Sequence, residues 1–161
     1  LSQLAPIIYG AEINAAAVTT ATDLFQITPV ADRPVVIYSL VAGQTTDLGD
    51  AAEEILLIGL FRDVTAGSGG TAETEYGYSN AAISNASSAA VLTLNSSIST
   101  GGTLIDIIPW NIRMPLIWEP IPELRPKLSN LAAEGPAHSF RLLAAPTDSI
   151  TVSAVLKWAE L

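Results

Sequence analysis

His138 is the single histidine of this 161-residue chain, so acid–base and nucleophilic chemistry would have to be built around it or around carboxylates. A Ser-His-Asp relay needs the imidazole within hydrogen-bond reach of an exposed hydroxyl. The nearest approach to a nucleophile elbow, Gly77-Tyr78-Ser79-Asn80-Ala81, lacks its second glycine. His138 is therefore expected to open a strand rather than to act as a base. Glu119 and Glu123 flank Pro120-Ile121-Pro122, and a carboxylate pair roughly 5–9 Å apart can hydrolyse glycosides. Nothing in their spacing makes them converge, and Glu123 is expected to pair with Arg125 along extended chain.

Two further stretches invite a ligand. Gln44 to Glu54 carries Asp47, Asp50, Glu53 and Glu54, and hard cations prefer several carboxylate oxygens. The spacing departs from an EF-hand loop, so the expectation is a solvated loop or one helical turn capped by Asp47 or Asp50. Ala66-Gly67-Ser68-Gly69-Gly70 resembles a phosphate cradle, but Thr71-Ala72 stands where a P-loop needs Lys-Ser/Thr. It reads as a flexible loop tip. Trp110, Trp118 and Trp158 could stack on sugars or fill a core, where each ring buries on the order of 150–250 Å². The expectation is no metal, no cofactor and no enzymatic activity.

The elements that would position these residues are organised around Asp106 to Lys127. This segment holds five of the ten prolines and two of the three tryptophans. Proline fixes φ and removes a backbone donor, so the segment is neither one long helix nor one central strand. It is expected to enter as a strand at Leu104 to Ile108, turn near Pro109 and continue as broken extended chain, a brace or contact surface.

The remaining chain reads as strands. Leu1 to Gly10 is apolar and proline-broken, either an edge strand on the core or an arm that docks on a neighbour. Glu12 to Ile27 is expected to form a strand pair bent at Thr19 to Thr22. In Val35 to Val41, Val35, Ile37 and Val41 are assigned to one face and Val36, Tyr38 and Leu40 to the other, so the strand should be covered on both sides. Ile55 to Arg62 is expected to be buried likewise, with Gly59 marking a bulge or close approach. Asp63 to Thr100 is rich in Gly, Ser, Thr, Ala and Asn, with short strands at Tyr76 to Tyr78 and Val91 to Leu94. Asn85-Ala86-Ser87 and Asn95-Ser96-Ser97 match the glycosylation tripeptide. Asn130 to Pro136 is a turn region. His138 to Ala144 and Ile150 to Trp158 form the clearest hairpin, joined by a turn containing Pro146 and Asp148. Eight to ten short strands without a sustained 3.6 period predict an all-β sandwich, jelly-roll-like, with an extended N-terminal segment. The domain would span residues 18–161, with residues 1–17 as arm or edge strand.

Composition bounds the partners. Hydrophobic residues make up 49% and charged residues 14%, with mean hydropathy +0.40. Typical globular chains carry about 25% charged residues, and so low a share suggests surface hidden in an assembly. Net charge is −9, with no basic residue between Arg62 and Arg113. That opposes nucleic-acid binding, which needs clustered cations. No apolar window reaches the roughly 20 residues that span a bilayer, and no secretory signal is visible at Leu1 to Ala5. The absence of cysteine excludes disulfides and thiolate metal sites.

Several stretches in order resemble the head decoration, or cement, proteins of tailed bacteriophages. They are Asp23-Leu24-Phe25-Gln26-Ile27 with Ala31-Asp32-Arg33-Pro34, then Gly43 to Glu54, and Ser68-Gly69-Gly70. Trp110-Asn111-Ile112 with Trp118, Pro122-Glu123-Leu124-Arg125-Pro126 and Ala144 to Ser153 complete the set. The apolar Leu1 to Ala17 departs from that pattern. The resemblance implies a jelly-roll-like virion protein on the capsid exterior, a homotrimer binding the major capsid protein, with no catalytic residues to carry over. The expected contacts are Leu4, Ile7, Ile8 and Tyr9 of the N-terminal segment and Trp110, Met114 and Trp118 of the brace. The alternative is a glycan-binding β-sandwich using Trp110 or Trp118 beside polar side chains.

Overall fold

A computed structural model describes residues 6–45, 53–78, 87–130 and 137–161. Leu4, Asp47, Asp50, Asn85 and most of the stretch 130–136 expected as a turn lie outside the described residues. The first strands are β1 (Ile8–Val18), β2 (Asp23–Thr28), β3 (Val35–Gln44) and β4 (Ile55–Val64). The short β5 (Thr71–Ala72) and β6 (Tyr76–Gly77) precede β7 (Ala90–Asn95) and β8 (Thr103–Asn111). Then come β9 (Leu116–Trp118), β10 (Lys127–Leu128), β11 (Ala137–Leu142) and β12 (Ile150–Glu160). Several strands run nine residues or more, longer than the short strands expected.

The strands form two six-stranded sheets. One has the order β10-β3-β12-β1-β6, with β9 also on β3; the other has the order β5-β7-β2-β11-β4-β8. Every pairing is antiparallel. The pairs β1·β12, β2·β11, β3·β9/β10 and β4·β8 run the second half of the chain back along the first in reverse order. Rolling such a ribbon gives the jelly-roll arrangement, β1-β12-β3-β9/β10 facing β2-β11-β4-β8. The stretch between β4 and β8 is an insertion that lays β7 and β5 beside β2, and β6 beside β1.

This topology corrects both expected strand pairs. β1 and β2 lie in opposite sheets, and so do β11 and β12. The bends at 19–22 and 143–149 are corners between sheets, not hairpin turns. Alternating polarity shows that one face of a strand is buried, but it does not say which strand lies alongside. Residues 8–17 are a strand of the sheet: β1 pairs with β12 along its length, and β6 flanks it only at Tyr9 and Gly10.

The core fills the space between the sheets. Phe25, Phe140, Trp110 and Trp158 are its largest fully buried side chains, each contributing about 1.5–3 kcal/mol or more by removing apolar area from water. Tyr9 stacks on Trp158 with ring centroids 6.2 Å apart. The face assignment in β3 changes at a bulge. Trp158 pairs with Ile37 but Lys157 with Ser39, so the register slips at Tyr38. Val35 and Ile37 point inward before it, and Leu40 and Ala42 after it. A bulge inserts one residue and reverses the alternation, which is why Val41 does not share the face of Val35 and Ile37.

The glycine-rich stretch 66–70 is packed, not a free tip. A Cβ on Gly67 would sit 2.4 Å from Ser97 O and 2.8 Å from Ser99 N. Gly67 N donates to Gln26 Oε1 at 2.7 Å, and Ser68 exchanges backbone hydrogen bonds with Ser97. These residues use glycine for close backbone approach.

Candidate interaction surface

His138 and Asp23 are each hydrogen-bonded between neighbouring segments. His138 is buried; its Nδ1 accepts from Asp63 N at 3.2 Å, so Nε2 is the nitrogen that donates to Ser129 O at 2.9 Å. Burial pushes the imidazole pKa down, and the hydrogen bond to Ser129 opposes this without reversing it. The ring is thus a neutral link between β11 and two neighbouring segments.

Asp23 is fully buried at the start of β2. Its Oδ2 accepts from Ser99 N at 2.7 Å and Asn95 Nδ2 at 3.1 Å, while Oδ1 accepts from Ser99 Oγ at 2.8 Å and faces Arg141 Nε at 3.5 Å. Arg141 also donates to Ser99 Oγ and lies 4.2 Å over the Phe61 ring. The set contains serine, carboxylate and guanidinium but no imidazole, and it clamps the 96–102 segment onto its sheet. Asn95 is buried here, so the tripeptide it opens is inaccessible to glycosylation.

Glu53 and Glu54 of the acidic stretch are likewise engaged. Glu54 accepts from Thr147 N and Oγ1, and Glu53 accepts from Asn111 Nδ2 at 2.8 Å. Arg125 lies 4.1 Å over the Tyr38 ring and makes no ion pair with Glu123 among the described residues. That corrects the expected Glu123–Arg125 pair. No group of three or more metal-ligating side chains occurs among the described residues.

The brace departs from its expected turn at Pro109. β8 runs through Pro109 to Asn111, and the turn follows, with Met114 N donating to Asn111 O at 2.9 Å. β8 tolerates proline because it is the last strand of its sheet. Its free edge is blunted twice: Pro109 has no N–H, and Ile107 N donates to Asp106 Oδ1 at 2.9 Å. Both features oppose strand addition.

The expected contact residues divide. Tyr9 and Trp110 are core residues, which corrects their assignment to a surface. The Trp110 ring is 1% exposed, and its Nε1 donates to Met114 O at 2.9 Å. Ile7, Ile8 and Trp118 are half-buried, and Met114 is exposed. Trp118 meets Phe140 edge-on at 5.7 Å and donates through Nε1 to Asp106 Oδ2. Trp110 and Trp158 are buried and offer no stacking face, whereas Trp118 is half-buried beside the exposed Asp106.

The exposed apolar surface lies elsewhere. β4 is covered on one side only: Leu56, Ile58 and Leu60 are buried, whereas Ile55 is 66% exposed and Leu57 41%. On the same outer face, Pro109 pairs with Leu57 and Ile107 with Gly59. A Cβ on Gly59 would contact Phe61, Leu104 and Leu143 within 3.1 Å, so these side chains converge over the glycine. Leu57, Leu104, Ile107 and Leu143 thus form an exposed apolar face. Large patches of this kind mark interaction sites. Met114, Ile117, Ile121 and Leu124 of the brace are exposed as well. The expectation of a strand covered on both sides concealed Leu57. The signal was Pro109, which marks its own strand, β8, as the edge of the sheet.

Among the described residues, no helix is long and apolar enough to cross a membrane. Compared with family models, curated proteins and solved structures, the chain finds no match.

Proposed function

We propose that the protein is a non-enzymatic virion structural protein that decorates and stabilises a tailed-phage capsid. It binds the major capsid protein from outside, as a symmetric homotrimer, across subunit seams. The observation that carries this reading is the exposed apolar face of β4 and β8 around Gly59. Burying such a face on an assembled shell favours the assembled state by mass action. A blunted β8 edge favours docking by side chains over strand addition. Closed homo-oligomers are the commonest symmetric form, and the ordered resemblance to decoration proteins supports this class of partner. Net charge −9 supports the absence of nucleic acid from the partners. Light scattering on the purified chain, with and without assembled shells, tests the reading. A trimer that co-sediments with shells is expected; a monomer indifferent to shells overturns it.

A further inference from the structure

The outer face of the β3-β12-β1 sheet carries alternating rings and cations. Gly10 on β1 leaves room for the Tyr76 ring, whose Cε2 and Cζ lie 3.0 Å from where a Cβ would stand. Tyr78 packs against Tyr76 with centroids 5.4 Å apart. Lys157, opposite Gly10 on β12, places Nζ 5.0 Å over the Tyr78 ring. Ser39 lies opposite Lys157 on β3. Next to it in the chain, Tyr38 carries the Arg125 guanidinium at 4.1 Å. Between the two cations is an open groove of about 240 Å³, lined by Ile8, Tyr38, Ser39, Glu119, Arg125 and Lys157.

Two of the seven basic residues of an acidic chain converge on this groove. Among the described residues neither forms an ion pair, and Arg125 Nε is buried without a hydrogen-bond partner. The two cations thus lack an anionic partner among the described residues, and an anionic oxygen in the groove can take charge-assisted hydrogen bonds from them. Glu119 limits the choice. Its carboxylate opposes a dianion or polyanion but accepts hydrogen bonds from hydroxyls. Tyr78, 52% exposed, stands beyond the groove's lining with Lys157 over its ring. The volume is below the roughly 300 Å³ where drug-sized sites begin, so it suits one small unit.

We propose that this groove binds the carboxylate-bearing unit of an acidic saccharide. Arg125 and Lys157 hold the carboxylate, Ser39 and Glu119 take hydroxyls, and Tyr78 borders the site behind Lys157. The proposal is independent of the capsid reading, because this groove and the apolar face lie on opposite sheets.

The test is an NMR titration of the full chain with sialyllactose and with a glucuronate-containing tetrasaccharide. Lactose and inorganic phosphate serve as controls. Saturable shifts at Ser39, Tyr78, Arg125 and Lys157 are expected with at least one acidic sugar and not with lactose. Lys157→Met and Arg125→Gln, checked for an unchanged melting temperature, should each weaken binding at least about tenfold; either alone suffices if the other misfolds. No saturable shift at millimolar acidic sugar, equal binding of lactose or phosphate, or unweakened binding by the folded variants overturns the proposal.

Discussion

Trp118 Nε1 donates to Asp106 Oδ2 at 3.1 Å, joining β9 of one sheet to β8 of the other. The second oxygen of the same carboxylate accepts Ile107 N at 2.9 Å. One side chain therefore closes the open side of the sandwich and caps a free donor of the edge strand. Asp106→Ala should cost about 1–2 kcal/mol, two hydrogen bonds at their usual net worth. Urea unfolding reads that loss, and an unchanged midpoint contradicts the role. Light scattering should also show more self-association, since the Ile107 N–H becomes available.

Asp23 and Arg141 form the most buried ion pair among the described residues. Removing one partner strands the other. Asp23→Ala should destabilise by roughly 3–5 kcal/mol, the range for breaking a buried pair. It also releases Ser99 and Asn95. Calorimetry should show a large fall in melting temperature, whereas a shift of a degree or less would mean that the pair is dispensable.

Two glycines should respond oppositely to alanine. In Gly67→Ala the new methyl meets backbone atoms Ser97 O and Ser99 N, and backbone cannot swing away. A loss of roughly 1–3 kcal/mol is expected, as for overpacking elsewhere. Gly43 has nothing within 4 Å of an added Cβ, so Gly43→Ala should be neutral or slightly stabilising. Parallel unfolding curves compare the two, and equal effects would contradict this account.

Acid should act in two windows. The native His138 pKa lies below 6.5 because burial disfavours the imidazolium. The unfolded chain therefore takes up the proton first, and stability that is full above about pH 6.5 is lost as pH falls toward the native value. Burial raises the Glu160 pKa, but hydrogen bonds from Ser87, Ser88 and Ala89 outweigh it and hold the carboxyl below its ordinary 4.5. That contribution is present above about pH 4.5 and lost as pH falls through the native value. Between about pH 7 and 5, wild type should lose stability while His138→Gln stays nearly flat. Parallel slopes for the two proteins would contradict the assignment.

The class of the fold was legible because Ile150, Val152, Ala154, Leu156 and Trp158 alternate without interruption, and all five are buried. Pairing was not legible. The same alternation suits a hairpin and a jelly-roll corner, so β11 and β12 read as neighbours although they lie in opposite sheets. At Tyr38 a bulge reverses the facing of β3, and no residue type announces it. The exposure of the expected contact residues was legible in part. Met114 is exposed as expected, but Trp110 alternates with Ile108 on the inward side of β8 and is buried with it. Leu57 looked like core because β4 carries an aliphatic side chain on its outer face, where alternation would place a polar one. That substitution is what makes the face a contact candidate.

The central claim is that this face meets the shell. Leu57→Glu combined with Ile107→Glu places charge on the outer surface of β4 and β8 and leaves the buried Leu56, Ile58 and Ile108 untouched. Co-sedimentation with assembled capsid shells should pellet the wild-type chain and leave the double variant in the supernatant, with both showing the same far-ultraviolet circular dichroism. A folded double variant that pellets with the shells as completely as wild type would contradict the account.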